Sequence, residues 1–392
     1  DQGMFESNNK GISWYSINGN ITDELSDAVS LSPNGSMVIL SMQDLGTYMS
    51  YDGGGSWFPV SAGPENSLVY INPGNSSWVY DMDRGYASPI RVSDDGGLSF
   101  TQVSGVYSPS YITGNELFAV NSSSGNSVLL GTAAGIYHSD NYGINWSLVA
   151  GSPPDVTAMQ YVSQGLLVVG TQSGVYVFNG STWLHSEGIT GTVLSISVDP
   201  GNESVIAASV GNPFGRANLY MSYNGGRSFD EVNTSIDGLF VYHSMYFPIP
   251  AQFFFLNTTG YPLVATTNYG IYLSTNLGKT WHDISYNLHS GQVDDLELAN
   301  GNLYIATYGE GLQEIKDFSV NSLPGTFVVD VPAGMNVYVN GNLLTLSDGH
   351  GVFYLKPGNY SVNIQGDGYS KDETINVQPM GVYYANVTAQ VD

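Results

Sequence analysis

Cysteine is absent. That excludes a disulfide framework, a thiol nucleophile and any cysteine-based metal site, and it leaves the redox compartment open. Positive charge is scarce: 9 Lys and Arg stand against 34 Asp and Glu, a formal net charge of −25. Such a surface repels phosphate backbones, so nucleic acid is not expected as a partner. Charge of either sign is low, at 11% of residues against the usual ~25%. Gly, Ser, Asn, Thr and Tyr fill the polar positions instead. No run of about 18 apolar residues occurs, so no transmembrane segment is expected. No helix is evident, hence no glycine loop opening a helix to cradle a phosphate. The chain begins at Asp1 with no signal-peptide pattern, which would fit a processed form.

What is present is β-like. Hydrophobic residues make up 42% of the 392 positions, enough for a large core. They fall in short runs between glycine-rich turns, the pattern of an all-β chain.

One octapeptide recurs. SNNKGISW starts at Ser7, SYDGGGSW at Ser50, SDDGGLSF at Ser93, SDNYGINW at Ser139, SYNGGRSF at Ser222 and STNLGKTW at Ser274. A shortened relative, FNGSTW, spans Phe178 to Trp183. The spacing, about 40–50 residues, is the period of a propeller blade. The shared pattern is Ser-x-Asp/Asn-x-Gly-x-Ser/Thr/Asn-Trp/Phe. Asp or Asn at the third position accepts hydrogen bonds from nearby backbone amides, Gly supplies a positive φ, and the aromatic residue wedges against a neighbouring sheet. Only Asp52 and Asp95 carry a carboxylate there, whereas Asn9, Asn141, Asn224 and Asn276 carry an amide. Acid–base or metal chemistry would not survive that exchange, and turn capping does. The repeat therefore specifies shape.

These residues resemble the Asp-box, or BNR repeat, of sialidases, xyloglucanases, sortilin-type receptors and a photosystem assembly factor. The resemblance covers about residues 3–316. It implies a propeller in which each box joins the two outer strands of a blade, on the face away from the ligand site. It implies nothing about activity, because these families share architecture only. Paired apolar runs between the boxes read as inner strands: 27–32 with 37–42, 67–71 with 77–82, 116–120 with 127–131, 156–161 with 165–170, 193–198 with 204–210, 252–256 with 262–267, and 293–298 with 302–307. Seven inner and seven outer pairs give seven blades. The last inner pair and the first outer pair form a closing blade shared by the two chain ends, to which Gly311–Ile315 could add a strand.

The predicted fold is thus all-β: a seven-bladed β-propeller over residues 1–318, then a small β-sandwich-like domain over 319–392. In the second part, VPAGMNVYVNG and LKPGNYSVNIQGDGY resemble the PEGA domain, an interaction or spacer unit of surface proteins. Ala333 and Met335 depart from its name-giving tetrapeptide.

Catalytic patterns are thin. Sialidases use three convergent arginines; this chain has only Arg84, Arg91, Arg216 and Arg227. Arg227 lies in a box and Arg91 just before one. A glycoside hydrolase needs two opposed carboxylates, for which Asp81, Asp83 and Asp237 are the candidates. The six histidines show no paired metal spacing. No catalytic residue, metal or cofactor is expected. The expected function is an extracellular, non-catalytic binding or scaffold protein of a cell-surface assembly. The alternative is a glycan-cleaving propeller enzyme. Binding of protein or glycan is expected on the face opposite the boxes, where loops offer Arg84, Tyr86, Tyr107, Tyr111, Phe214, Arg216, Tyr242, His243, Tyr246 and Phe247 as anchors.

Asn-x-Ser/Thr triplets begin at Asn20, Asn34, Asn75, Asn121, Asn145, Asn179, Asn202, Asn233, Asn257, Asn359 and Asn386. That is roughly twice the chance number. Glycosylation outside the cell is one reading; plain richness in Asn and Ser is the other. Few charges and amide-capped boxes would also suit an acid habitat, since an Asn cap is indifferent to pH and an Asp cap weakens as it protonates.

Overall fold

The computed structural model describes all residues except 1–4, 8–14, 17–25, 43–44, 61–66, 84–88, 108–116, 121–124, 163–165, 212–216, 233–251, 259, 268–269, 286–287, 289–292, 308–310, 367 and 387–392. Two short strands open the chain, β1 (Phe5–Ser7) and β2 (Tyr15–Ser16). Six four-stranded antiparallel sheets follow. The first blade is β3 (Ser26–Leu31), β4 (Val38–Met42), β5 (Gly46–Ser50) and β6 (Phe58–Pro59). The second is β7 (Ser67–Ile71), β8 (Val79–Asp83), β9 (Pro89–Ser93) and β10 (Thr101–Tyr107). The third is β11 (Phe118–Val120), β12 (Val128–Thr132), β13 (Gly135–Ser139) and β14 (Ser147–Leu148). The fourth is β15 (Val156–Tyr161), β16 (Leu167–Thr171), β17 (Gly174–Phe178) and β18 (Trp183–His185). The fifth is β19 (Val193–Val198), β20 (Ile206–Gly211), β21 (Ala217–Ser222) and β22 (Asp230–Glu231). The sixth is β23 (Gln252–Phe255), β24 (Leu263–Thr267), β25 (Gly270–Ser274) and β26 (His282–Asp283).

The closing sheet has five strands. β27 (Val293–Ala299), β28 (Asn302–Thr307) and β29 (Gly311–Ile315) come from the end of the ring and are joined by β1 and β2, in the order β2-β1-β29-β28-β27. β1 lies parallel to β29, with Phe5 opposite Gln313 and Ser7 opposite Ile315. Gly311–Ile315 thus takes the third place and moves the N-terminal strands one step outward. The seven sheets make this an all-β propeller.

The inner strands are apolar on both faces: every residue of β4, β12, β16, β19 and β24 is buried. Burial on both faces needs a neighbouring sheet on each side, and the ring provides it. The octapeptide aromatics fill the gaps between blades. Trp57, 1% exposed, packs with Leu40 and Met42 of its own blade and with Tyr304, Ala306 and Leu312 of the closing blade. Phe229 packs with Val168 and Val175 of the fourth blade, and Trp146 joins the cluster holding Tyr80 and Met82 of the second. Each wedge therefore leans on the blade before its own. Truncating a buried aromatic of this size costs about 3–5 kcal/mol.

A packed link leads to the C-terminal sheets. Phe318 donates its N–H to the Gly301 carbonyl at 2.7 Å, and Phe318 and Leu323 are buried in the cluster of the closing blade. A 3-10 turn at Val320–Ser322 lies between them. Beyond it come β30 (Gly325–Asp330), β31 (Asn336–Val339), β32 (Asn342–Leu343), β33 (His350–Leu355), β34 (Gly358–Gly366), β35 (Tyr369–Val377) and β36 (Val382–Asn386). They form two sheets, β33-β30-β36 and β32-β31-β34-β35. Phe327 and Val329 on the first and Val337, Val339, Val362 and Ile364 on the second share one core. Burial alternates along β30, as a sheet with one covered face requires.

Candidate functional site

Five octapeptides lie wholly within the described residues, and they share one geometry. At Ser50–Trp57 the Ser50 hydroxyl oxygen accepts the Gly54 N–H at 2.8 Å. Asp52 Oδ1 accepts the Ser56 N–H at 2.8 Å, and Asp52 Oδ2 accepts the Ser56 hydroxyl at 2.7 Å. Asp95 repeats this with Ser99. Asn224 and Asn276 keep the backbone bond, at 3.0 and 2.9 Å, and reverse the other: Nδ2 donates to Ser228 Oγ and Thr280 Oγ1. Asn141 keeps the backbone bond to Asn145. Asn9 lies outside the described residues.

The fourth and fifth positions both take positive φ. The fourth is Gly53, Gly96, Tyr142, Gly225 or Leu277, so a side chain is tolerated there. The fifth is always Gly. A Cβ on Gly278 would sit 2.3 Å from Leu219 Cδ2, and one on Gly226 2.7 Å from Val177 Cγ2, both on the preceding blade. The fourth N–H ties the octapeptide to the turn between the two inner strands: Gly53 to the Ser36 carbonyl, Gly96 to Ser77, Tyr142 to Asn126 and Gly225 to Ser204. The repeated Asp and Asn side chains are thus occupied within their own turns, on the five blades whose octapeptides are described. Ser56 and Ser99 hold the Asp52 and Asp95 carboxyls below their ordinary range, Asp95 at about 2.

The inner ring carries a polar device that the sequence did not advertise. An innermost strand has backbone amides with no strand beyond them, and a side chain from the preceding blade accepts them. Ser30 Oγ accepts the Ile71 N–H at 3.1 Å, Gln160 Oε1 the Val198 N–H at 2.8 Å, and Ser195 and Ser197 those of Phe253 and Phe255. Where the ring closes, β27 uses carboxyls: Asp295 Oδ2 accepts the Val29 N–H at 3.0 Å and Glu297 Oε2 the Leu31 N–H at 2.7 Å. Burial, then the neighbouring Asp295, push Glu297 up to about 8. The only hint was VDDLELA, three acids in a run otherwise reading as core. Asp295 and Glu297 sit on one face of one strand and are engaged by backbone amides, an arrangement unlike two acids facing each other across a groove.

Asp81 is fully buried and forms an ion pair with Arg91, whose guanidinium also lies over the Phe100 ring, 5.5 Å from its centroid. Thr47 donates to the same Asp81 oxygen at 3.3 Å. Burial pushes the Asp81 carboxyl up, and Arg91 pulls it back. This pair is interior structure, closed to a substrate. Asp83 is half-buried at the far end of β8, and Asp237 lies outside the described residues.

The turns after first and third strands share one end of the ring with the octapeptides; the turns after second and fourth strands make the other end. Tyr107 closes the fourth strand of its blade at that other end and is 51% exposed. Leu45, 44% exposed, lies there in the β4–β5 turn. Arg84, Tyr86, Tyr111, Phe214, Arg216, Tyr242, His243, Tyr246 and Phe247 fall outside the described residues. Among the described residues no group of three or more His, Asp or Glu is placed to hold a metal ion. No helix there is long and apolar enough to cross a membrane.

No protein-family profile matches the chain, and no curated protein sequence matches it. Solved structures do. YCF48 from Cyanidioschyzon merolae superposes with a TM-score of 0.52 at 15% identity, over 75% of this chain and 96% of that one. A YCF48 structure bound to D1 peptide gives 0.51 at 15%, over 75% and 94%. The GH74 xyloglucanase from Xanthomonas campestris gives 0.57 at 12%, over 87% of this chain and 58% of that one. At these identities the likeness is one of fold: a β-propeller.

Proposed function

We propose that the chain is an extracellular, non-catalytic binding or scaffold component of a cell-surface assembly. It recognises protein or glycan on the end of the ring away from its Asp-boxes, and its C-terminal domain is a PEGA-like spacer. The observation that carries this reading is that the repeated Asp and Asn side chains are spent on their own turns and so are unavailable for chemistry. At one end the repeated Asp and Asn side chains are consumed by their own turns. At the other, Tyr107 and Leu45 are exposed, and exposed aromatics such as Tyr107 are the usual anchors of an interface. A YCF48 propeller binds a peptide, which is in keeping with a protein partner. The carboxyl candidate Asp81 is tied to Arg91 inside a blade, which counts against hydrolysis.

The test is cross-linking mass spectrometry on intact cell envelopes, with wild type and Tyr107→Asp compared. Cross-links to a partner from the Tyr107 end, reduced at least ~10-fold in the variant, are expected. Release of reducing sugar from a β-glucan by the purified chain, abolished by substituting an acid at that end, would instead establish the enzyme.

A further inference from the structure

Among the described residues the Asn-x-Ser/Thr triplets of the propeller are not scattered over the ring. Within the described residues of the propeller they begin at Asn34, Asn75, Asn145, Asn179, Asn202 and Asn257, and all six asparagines are exposed. Asn34, Asn75, Asn202 and Asn257 lie in turns between first and second strands; Asn145 and Asn179 lie between third and fourth. Those turns share one end of the ring, the octapeptide end. The six also fall on six consecutive blades, one to each.

Local geometry leaves the reactive atom available. Asn34, Asn75, Asn179 and Asn202 each accept the N–H two residues on through Oδ1, at 3.0–3.2 Å. Among the described residues their Nδ2 atoms have no hydrogen-bond partner. Turn chemistry alone would accept Asp at these places, as Asp199 does for Gly201. Nor does the turn call for every hydroxyl: Ser77 and Ser204 meet their asparagines through backbone N–H. Asn359 differs. It sits in paired strand, opposite Asn376, and its Oδ1 accepts Asn376 Nδ2 at 2.7 Å.

We infer that the octapeptide end of the ring carries a collar of N-linked glycans at these six described turn asparagines, which lie on six contiguous blades. Each is installed by transfer from a lipid-linked glycosyl phosphate or pyrophosphate. The Asn Nδ2 attacks the anomeric carbon, the C–N bond forms as the C–O bond to the phosphate breaks, the lipid phosphate departs with the electron pair, and Nδ2 loses one proton. The inference shares with the proposed function only its extracellular location.

The experiment is glycopeptide mass spectrometry of the full chain purified from its native cells, with surface-exposed and internal fractions kept apart. Sugar is expected on the six turn asparagines and none on Asn359. Changing the six to Asp keeps the Oδ1 acceptor of the Asn34, Asn75, Asn179 and Asn202 turns and removes every Nδ2, so the folded variant should lose the glycan mass borne by those six sites. Bare asparagines at the six sites on surface-exposed chain would overturn the collar and leave the binding reading standing. Glycan on Asn359 with bare turns would overturn it equally, and a chain found only inside the cell would overturn both.

Discussion

At the scale of single residues, the octapeptide separates what an Asp does from what an Asn can do. Asp52 takes one backbone N–H and two hydroxyls; Asn224 and Asn276 keep the backbone bond and turn one hydroxyl bond around. Asp52→Asn should therefore change stability by no more than about 0.5 kcal/mol. Asp52→Ala, which strands the Ser56 N–H and both hydroxyls, should cost about 1–2 kcal/mol. Denaturant titration of the two variants checks the pair, and equal losses would show that the hydrogen bonds contribute little. The sequence made this turn readable because one residue type was repeated around it. It did not reveal why the fifth position is always Gly. Positive φ is half the reason, and Leu277 shows that a side chain can bear it at the fourth position. The other half is the preceding blade, with Leu219 or Val177 pressed against that spot, a contact between segments far apart in the chain.

At the scale of elements, the inner strand pairs were legible to within a residue or two, since apolar runs bounded by turn residues have few other uses. The closing sheet was legible only in part. Gly311–Ile315 has the same apolar character whether it edges a sheet or sits inside one, and long-range pairing alone decides. It sits inside, and β1 seals its outer edge in parallel. Removing residues 1–16 should expose the β29 amides and carbonyls. A lower melting temperature and a concentration-dependent shift to larger species in size-exclusion chromatography are expected. A monomer of unchanged stability would show that the ring closes without β1. The acids of β27 were illegible for a related reason: their partners, the Val29 and Leu31 amides, are 266 residues away in sequence.

At the scale of the whole molecule, the titrating groups favour acid. Glu297 has its folded pKa raised from 4.5 to about 8, so the folded state holds a proton that the unfolded chain releases. That stabilisation is complete below pH 4.5 and is lost as pH rises through 8. Asp95 runs the other way: its contribution is present above 3.8 and is lost as pH falls through about 2. Tertiary structure, followed by near-UV circular dichroism, should thus persist below about pH 4. The melting temperature should fall between pH 4.5 and 8, and Glu297→Gln should flatten that slope. Unfolding at pH 4, or an unaltered slope in the variant, would refute the assignment. The parallel closure has a mechanical corollary. The chain enters the ring at the Phe5 end of the β1–β29 ladder and leaves toward its C-terminal sheets at the Ile315 end. If the molecule is held by its tail and tugged by its front, the load runs along that ladder and strains its bonds in shear, all together, so the seam resists as a clasp instead of opening like a zip.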